Sequence, residues 1–331
     1  MTMDILRLEC DNLVIGSGLA GLSAALRLPG KTVIATAGLG ATAISGGVLA
    51  LPQERDIAAE QWLLDTLRST GCPYREGHCM TDALVVRHGL VQESMDYEGT
   101  PALVALDGRP AGSMVAVDVK LFAGRSIQEI AHLIEADDAA LDALGSALSD
   151  AGGESYLLPP VLGISRAVEA RRRLESMTGA RICEYVAAPS VLGLRLVRAL
   201  QSVVDRNKAI TVLETTRIES VNDRACGLTG TKGKRVVSIE AGNIIIATGG
   251  PLTGFRVDGD RLYEPLTGIT VADLEADVSH TFIADHPLMF KGIGVRPTGA
   301  GHENLRAAGA AAVGFGLYEA LRTGYHAGDG L

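Results

Sequence analysis

The chain lacks any uninterrupted apolar run of the roughly 18 residues that a membrane helix needs. Membrane association is therefore expected only through partners. It also lacks an excess of positive charge. Lys and Arg total 30 against 39 Asp and Glu, giving a formal charge of −9 and a pI near 5.3, a balance that argues against a nucleic-acid partner. The first residues include Asp4, Arg7 and Glu9 rather than an apolar leader, so the expectation is a cytoplasmic protein. Cysteine is scarce, odd in number and scattered: Cys10, Cys72, Cys79, Cys183 and Cys226. That excludes a disulfide framework. Cys72 and Cys79 are the nearest pair, but zinc and iron–sulfur sites use tighter spacings. Neither a metal nor a cluster is expected on this chain.

What is present is concentrated near the start. Asn12-Leu13-Val14-Ile15 is a short apolar run that breaks into Gly16-Ser17-Gly18-Leu19-Ala20-Gly21 and continues rich in Ala and Leu. This is the pattern of a strand, a tight turn and a helix N-terminus. Gly16 permits the turn, Gly18 lets a pyrophosphate approach the backbone, and Gly21 lets helix and strand pack closely. The free N–H groups and positive dipole end of the helix would face the phosphates. A nucleotide cofactor is the leading hypothesis. The next strand, Lys31 to Thr36, should end in an acid that holds the adenosine ribose, but Thr36-Ala37-Gly38 stands there instead. Either the adenosine is held differently, or the nucleotide is a mononucleotide such as FMN.

The length of 331 residues and a hydrophobic fraction of 47% suit about two domains with ample cores. After the opening β-α-β unit comes a loop rich in Gly, Ala and Ser, from Gly38 to Val48, which would let backbone approach a ligand. Periodicity predicts helices over Ala58–Leu67, Met80–Tyr97, Ser126–Ala136, Ala139–Leu148 and Glu169–Met177, and a strand over Val115–Val119. The Arg171-Arg172-Arg173 run reads as a solvated face. Ser190 is placed to cap a helix running to about Asp205. Arg195, in the early turns of that helix, is oddly placed for a cation, which points to an anionic partner: a structural carboxylate, a substrate or a phosphate. Strands follow at Ile210–Leu213, Arg217–Val221 and Val236–Glu240. Asn243–Ala247 reads as a buried parallel strand ending in Thr248-Gly249-Gly250. The reading is an α/β chain with a discontinuous nucleotide-binding domain, residues 1–54 and 206–331, and an inserted α/β cap over residues 55–205.

These motifs together resemble a known family. Gly16-x-Gly18-x-x-Gly21, Ser45-Gly46-Gly47, Ala247-Thr248-Gly249-Gly250 and Asn304-Leu305-Arg306-Ala307-Ala308-Gly309 are shared with many flavoproteins of the two-dinucleotide-binding, Rossmann-like FAD/NAD(P)-binding fold. More specific are Leu158-Pro159-Pro160-Val161-Leu162-Gly163, Pro189 to Leu196, Glu264-Pro265-Leu266-x-Gly268 and Gly294-Val295-Arg296-Pro297. With them the chain resembles the anaerobic glycerol-3-phosphate dehydrogenase B family, within the fumarate-reductase-like flavoproteins. The resemblance implies oxidation of glycerol 3-phosphate in a multisubunit complex. Electrons would leave through flavoprotein and iron–sulfur partner chains towards a quinone or other anaerobic acceptor. It implies FAD, with FMN as the alternative. The attachment is expected to be non-covalent, because residues 40–47 contain no His.

The cofactor-binding candidates are Gly16, Ser17, Gly18, Ala20, Gly21, Thr36, Ser45, Gly46, Gly47, Thr248, Gly249, Asn304 and Gly309. Oxidising an alcohol needs a base for the hydroxyl proton, and His suits that role near neutral pH. His302 is the first candidate and His286 the second, with His280 behind them. A phosphate ester calls for a guanidinium fork. Arg296 is the leading choice, ahead of Arg256, Arg261 and Lys291. Two other readings stay open: a flavin-binding electron-transfer and assembly subunit without its own substrate turnover, and a scaffold that has lost flavin.

Overall fold

The structure, a computed structural model, describes residues 5–81, 85–97, 99–106, 115–187, 191–221, 227–232, 235–249, 256–258, 261–263, 265–266, 270–273, 304–312 and 316–329. In chain order the elements are β1 (Ile5–Ile15), α1 (Leu19–Arg27), β2 (Thr32–Ala35), β3 (Leu49–Ala50), α2 (Ile57–Leu67), β4 (Tyr74–Met80), β5 (Val86–Gln92), β6 (Ala102–Ala105) and β7 (Val115–Ala116). They continue as α3 (Ile127–Ala136), α4 (Asp138–Ala151), β8 (Ser155–Leu158), α5 (Ala167–Thr178), β9 (Arg181–Glu184), α6 (Leu192–Arg206), β10 (Ile210–Leu213), β11 (Thr216–Val221), β12 (Gly227–Lys232) and β13 (Arg235–Ile246). The last are β14 (Arg256–Asp258), β15 (Arg261–Tyr263), β16 (Thr270–Asp273), β17 (Leu305–Ala307) and α7 (Leu317–Tyr325). The chain divides into two units. The first is Met1–Ala41, Asp56–Glu60 and Leu200–Leu331; the second is Thr42–Arg55 and Gln61–Ala199. These bounds differ from the sequence reading, which put residues 42–54 with the nucleotide-binding part and residues 56–60 and 200–205 with the cap.

The first unit is built on a seven-stranded sheet in the order β10-β2-β1-β13-β12-β11, with β17 also on β13. β1 and β13 run parallel from Ile5 beside Val236 to Ile15 beside Ile246. Arg235–Ile246 is thus one long strand where two were predicted. Its far edge is shared, with β12 antiparallel along Arg235–Glu240 and β17 parallel along Ile244–Ile246. Leu13, Val14, Ile34 and Ile245 are all buried, as strands covered on both faces require. From β1 the chain moves through α1 to β2 on one side, while β13 lies on the other. The carboxyl end of β1 is therefore the switch point where open α/β sheets bind ligands.

α7 belongs to the same unit and is pinned at both ends. Tyr318 Oη donates to Glu60 Oε1 at 2.6 Å and accepts from the Asp56 N–H at 2.6 Å. His326, just past the helix, bridges Asp56 Oδ2 at 2.6 Å and Asp329 Oδ2 at 2.5 Å. Burial alone would lower the His326 pKa, but the hydrogen bonds to Asp329 and Asp56 outweigh it, and the net shift is upward from 6.5. For Asp56 burial acts upward, but the Ala59 N–H and His326 outweigh it and the net shift is downward from 3.8.

The second unit holds a three-stranded antiparallel sheet, β3-β5-β4, and a four-stranded parallel sheet, β7-β6-β8-β9. The helix predicted over Met80–Tyr97 is not formed. Tyr74–Met80 and Val86–Gln92 pair as antiparallel strands instead, from Tyr74 beside Gln92 to Met80 beside Val86. A Cβ on Gly89 would lie 2.5 Å from Leu49 O, so the residue that weakens a helix there is the one that admits β3. The other four predicted helices form within a few residues of their expected bounds. Ser126 closes a capping box with Glu129 at the start of α3. The arginine run is a solvated face only in part: Arg172 is exposed and Arg173 pairs with Asp138 and Asp142, whereas Arg171 is partly buried and donates to Glu93 O at 2.5 Å.

Arg195 finds its anion inside this unit. Its guanidinium meets Glu184 at 2.5 and 2.9 Å, both side chains fully buried, and its Nε donates to Gly163 O at 2.7 Å. Glu184 also accepts from the Leu162 N–H at 2.9 Å. The ion pair thereby ties the Leu158–Gly163 segment to α6. Ser190, the predicted cap of that helix, lies outside the described residues.

Two outcomes follow. Removing one partner of a buried pair strands the other charge, so Arg195→Met should cost about 3–5 kcal/mol in urea unfolding, and Arg195→Met with Glu184→Leu should recover much of it. A single-variant loss under about 1 kcal/mol would contradict that role. For the His326 clasp, a raised histidine stabilises fully below pH 6.5 and loses its contribution as pH climbs through its folded value. The lowered Asp56 stabilises fully above pH 3.8 and loses its contribution as pH falls through its folded value. The clasp is strongest between those limits. The melting temperatures of the protein and of His326→Gln should therefore differ most at about pH 5 to 6 and converge in alkali. A constant difference across pH would contradict the charge-based clasp.

Candidate functional site

At the carboxyl end of β1 the chain turns on Gly16, whose φ is +118°. The Gly16 N–H donates to Ala35 O at 2.9 Å, and the Ala247 N–H donates to Ile15 O at 2.9 Å. The turn is thus stitched to the strands on both sides. A Cβ on Gly16 would fall 2.2 Å from Ala247 O, and one on Gly21 would fall 2.1 Å from Gly16 O. Both positions admit only glycine, for the reasons the motif implies. Gly18 is the N-cap of α1 and supplies no side-chain cap. The first intrahelical donor is Leu22, to Gly18 O at 3.0 Å, which leaves the N–H groups of the first turn outside the helical ladder. No acid occupies that turn. A helix N-terminus of this kind fits a pyrophosphate.

Other glycines and small residues crowd the same end of the sheet. The Ala308 N–H donates to Ile246 O at 2.9 Å, which brings Gly309, with φ +69°, to the end of β17. A Cβ on Gly309 would lie 2.9 Å from the Ala20 Cβ, and one on Gly324 of α7 only 2.4 Å from Ala20 O. The Ala20 methyl therefore faces Gly309 and its carbonyl faces Gly324, while its backbone N–H lies in the first turn of α1. Thr248 and Gly249 follow directly from β13, Gly249 with φ +93°.

The side chains of three cofactor-binding candidates make hydrogen bonds within the protein. Ser17 and Thr36 are buried and turned on each other: their hydroxyl oxygens are 2.7 Å apart, and Gly38 O lies 2.8 Å from Ser17 Oγ and 2.5 Å from Thr36 Oγ1. Two hydroxyl protons serve three contacts, so a chain in which Ser17 donates to Thr36 and Thr36 to Gly38 O uses both. Their side chains close the turn and leave no proton for a ligand. Asn304 sits at the amino end of β17, where its Nδ2 donates to Gly242 O at 2.8 Å. Three residues of strand, about 10 Å, separate it from the glycine end. Asn304 stands level with Asn243 and Asn12, partway along β1 and away from the glycine end.

Ser45, Gly46 and Gly47 belong to the second unit and are fixed there. The Gly193 N–H donates to Ser45 O at 3.1 Å. Tyr74 Oη donates to Gly47 O at 2.6 Å, and Gln92 Nε2 donates to Leu192 O at 2.7 Å. Burial drives the Tyr74 pKa well above 10, so it stays a neutral donor. Gly193 was not among the candidates, yet a Cβ there would fall 2.0 Å from Thr42 O. A glycine in the first turn of a predicted helix was the available signal. The candidate acid–base and phosphate residues, His302, His286, His280, Arg296 and Lys291, lie outside the described residues. Arg256 and Arg261 fall on β14 and β15.

Among the described residues no group of three or more His, Cys, Asp or Glu is arranged to hold a metal ion. Burial pushes the Cys72 thiol up to about 12 and Cys79 to about 11, so neither is a thiolate at neutral pH. No described helix is long and apolar enough to cross a membrane.

Three solved structures illustrate what the chain is similar to. A variant of E. coli quinol fumarate reductase FrdA is 15% identical over 74% of this chain and 33% of its own, with a TM-score of 0.32. p-Nitrophenol 4-monooxygenase PnpA from Pseudomonas putida is 11% identical over 78% of this chain and 45% of its own, with a TM-score of 0.33. Putrescine oxidase bound to putrescine is 18% identical over 73% and 59%, with a TM-score of 0.25. The chain thus spans about a third of the length of the fumarate reductase chain, and no curated protein matches it. The model of the FAD binding domain family matches residues 11–268. With that match over most of its length, the chain belongs to the FAD binding domain family: it is a flavoprotein of Rossmann-like fold, with FAD as its cofactor.

Proposed function

We propose that this chain is a cytoplasmic flavoprotein dehydrogenase component that oxidises glycerol 3-phosphate, or a similar small hydroxy compound, and passes the electrons to flavoprotein and iron–sulfur partner chains. The observation that carries the redox half of this reading is the glycine-built end of the first sheet, where Gly16, Gly18 and Gly21 meet Ala247–Gly249 and Gly309. The substrate half is supported by the family-like segments around Pro159 and Arg195, which are joined through the buried Arg195–Glu184 pair.

The N-terminal turn of α1 would hold the cofactor's phosphates, with Gly16 and Gly21 keeping strand and helix close enough for it to do so. Bound FAD supplies the hydride acceptor. The chain itself must take the hydroxyl proton, and His302 is assigned that role, with His286 second. Arg296 is assigned the substrate phosphate. Contact with a membrane would come through partners only.

The test is anaerobic addition of glycerol 3-phosphate to the flavin-loaded protein while the flavin absorbance is followed. Bleaching is expected. A flavin that stays oxidised would move the reading to an electron-transfer and assembly role. His302→Gln should slow bleaching by about 10²–10⁴-fold, and an unchanged rate would remove His302 from the mechanism. Gly16→Ala should lose flavin and stability together, by about 1–3 kcal/mol, because its Cβ has no room beside Ala247 O.

A further inference from the structure

The missing acid after β2 leaves the adenosine ribose without a partner at its usual strand, and Thr36 cannot replace it. Its hydroxyl is taken up by Ser17 and Gly38. The next strand outward is β10, paired in parallel with β2 so that Leu213 lies beside Ala35. One residue on, the Thr36 N–H donates to Leu213 O at 3.1 Å and the Thr216 N–H donates to Thr36 O at 2.8 Å. Glu214 therefore stands level with Thr36, at the same carboxyl end of the sheet, one strand spacing of about 4.8 Å away. A glutamate side chain spans that distance.

Glu214 is held in place by its own backbone. Its carbonyl accepts from Thr215 Oγ1 at 2.7 Å and from Thr216 Oγ1 at 3.1 Å. Thr215 has φ +51°, the only non-glycine among the described residues in the left-handed region. The Glu214 carboxylate, by contrast, is exposed and meets no donor among the described residues. Glu214 and Thr215 form one wall of a groove of about 460 Å³, completed by Val204, Asp205, Ile210 and Val212. A carboxylate can accept from both hydroxyls of a ribose diol, which Thr36 in its closed chain cannot.

We infer that Glu214 is the positioning residue for the adenosine ribose of FAD, taking from β10 the role that β2 leaves open. The inference rests on FAD being the cofactor. Adenosine recognition is thereby separated from the phosphate turn, so the chain can discriminate FAD from FMN.

The test is the affinity of the full chain for FAD and for FMN, each read by quenching of flavin fluorescence, in the wild type, Glu214→Gln and Glu214→Ala, with melting curves to show that each variant folds. Both variants should bind FAD about 10- to 100-fold more weakly, the range for a lost hydrogen bond to a charged group, with FMN affinity unchanged. Unchanged FAD affinity would overturn the inference, as would an equal loss for FAD and FMN. A wild type that binds neither flavin would overturn the cofactor assignment itself, a result distinct from either of these.

Discussion

Everything in the first unit depends on how closely backbone approaches backbone at Gly16. Its missing Cβ is replaced by Ala247 O, and the space a Cβ on Gly21 would need is filled by Gly16 O. These two contacts bring the end of β13, the turn after β1 and the start of α1 within van der Waals reach of one another. Gly309 and Gly324 extend the same logic to α7 through Ala20. The result is a helix N-terminus whose first-turn N–H groups lie outside the helical ladder, with no acid in that turn, sited at the switch point of a parallel sheet. A dianionic pyrophosphate is the ligand whose charge and donor demand such an end satisfies.

The second unit rests on a different kind of constraint. Burying Arg195 and Glu184 together removes two charges from water, which apolar side chains of the same volume would not have required. What the pair gains in return is geometry: it satisfies Gly163 O and the Leu162 N–H as well as each other. The segment Leu158–Gly163, rich in proline and poor in regular hydrogen bonds, is fixed by these contacts. The first turn of α6 is also anchored through Gly193 and Leu192 to the Ser45–Gly47 loop and its partner Gln92. A polar network with so many satisfied members specifies one arrangement more than it adds stability.

Much of this was legible in sequence where a local rule decides the outcome. The Gly16–Gly21 pattern, the helix from Ser126 to Ala136 and the strand from Ile210 to Leu213 each follow from neighbours a few residues apart, and each is found. Met80–Tyr97 was misread because its apolar spacing fits a helix, whereas its real partners, Tyr74–Met80 and Leu49, are distant in sequence. The position of Asn304 was not legible for a related reason: the motif gives its strand but not the level at which that strand meets β13. Thr36 was correctly seen as no acid, but its bond to Ser17 depends on the tertiary fold. Glu214 was invisible as a candidate because its significance comes only from strand order, which puts β10 beside β2.

The account's central claim is that this glycine-built turn seats the phosphates of FAD. The most direct measurement is a crystal structure of the protein with FAD. The account requires the pyrophosphate against the N-terminus of α1, its oxygens about 2.7–3.2 Å from backbone N–H groups between Gly16 and Gly21. FAD bound elsewhere, or phosphates held by side chains away from that turn, would contradict it.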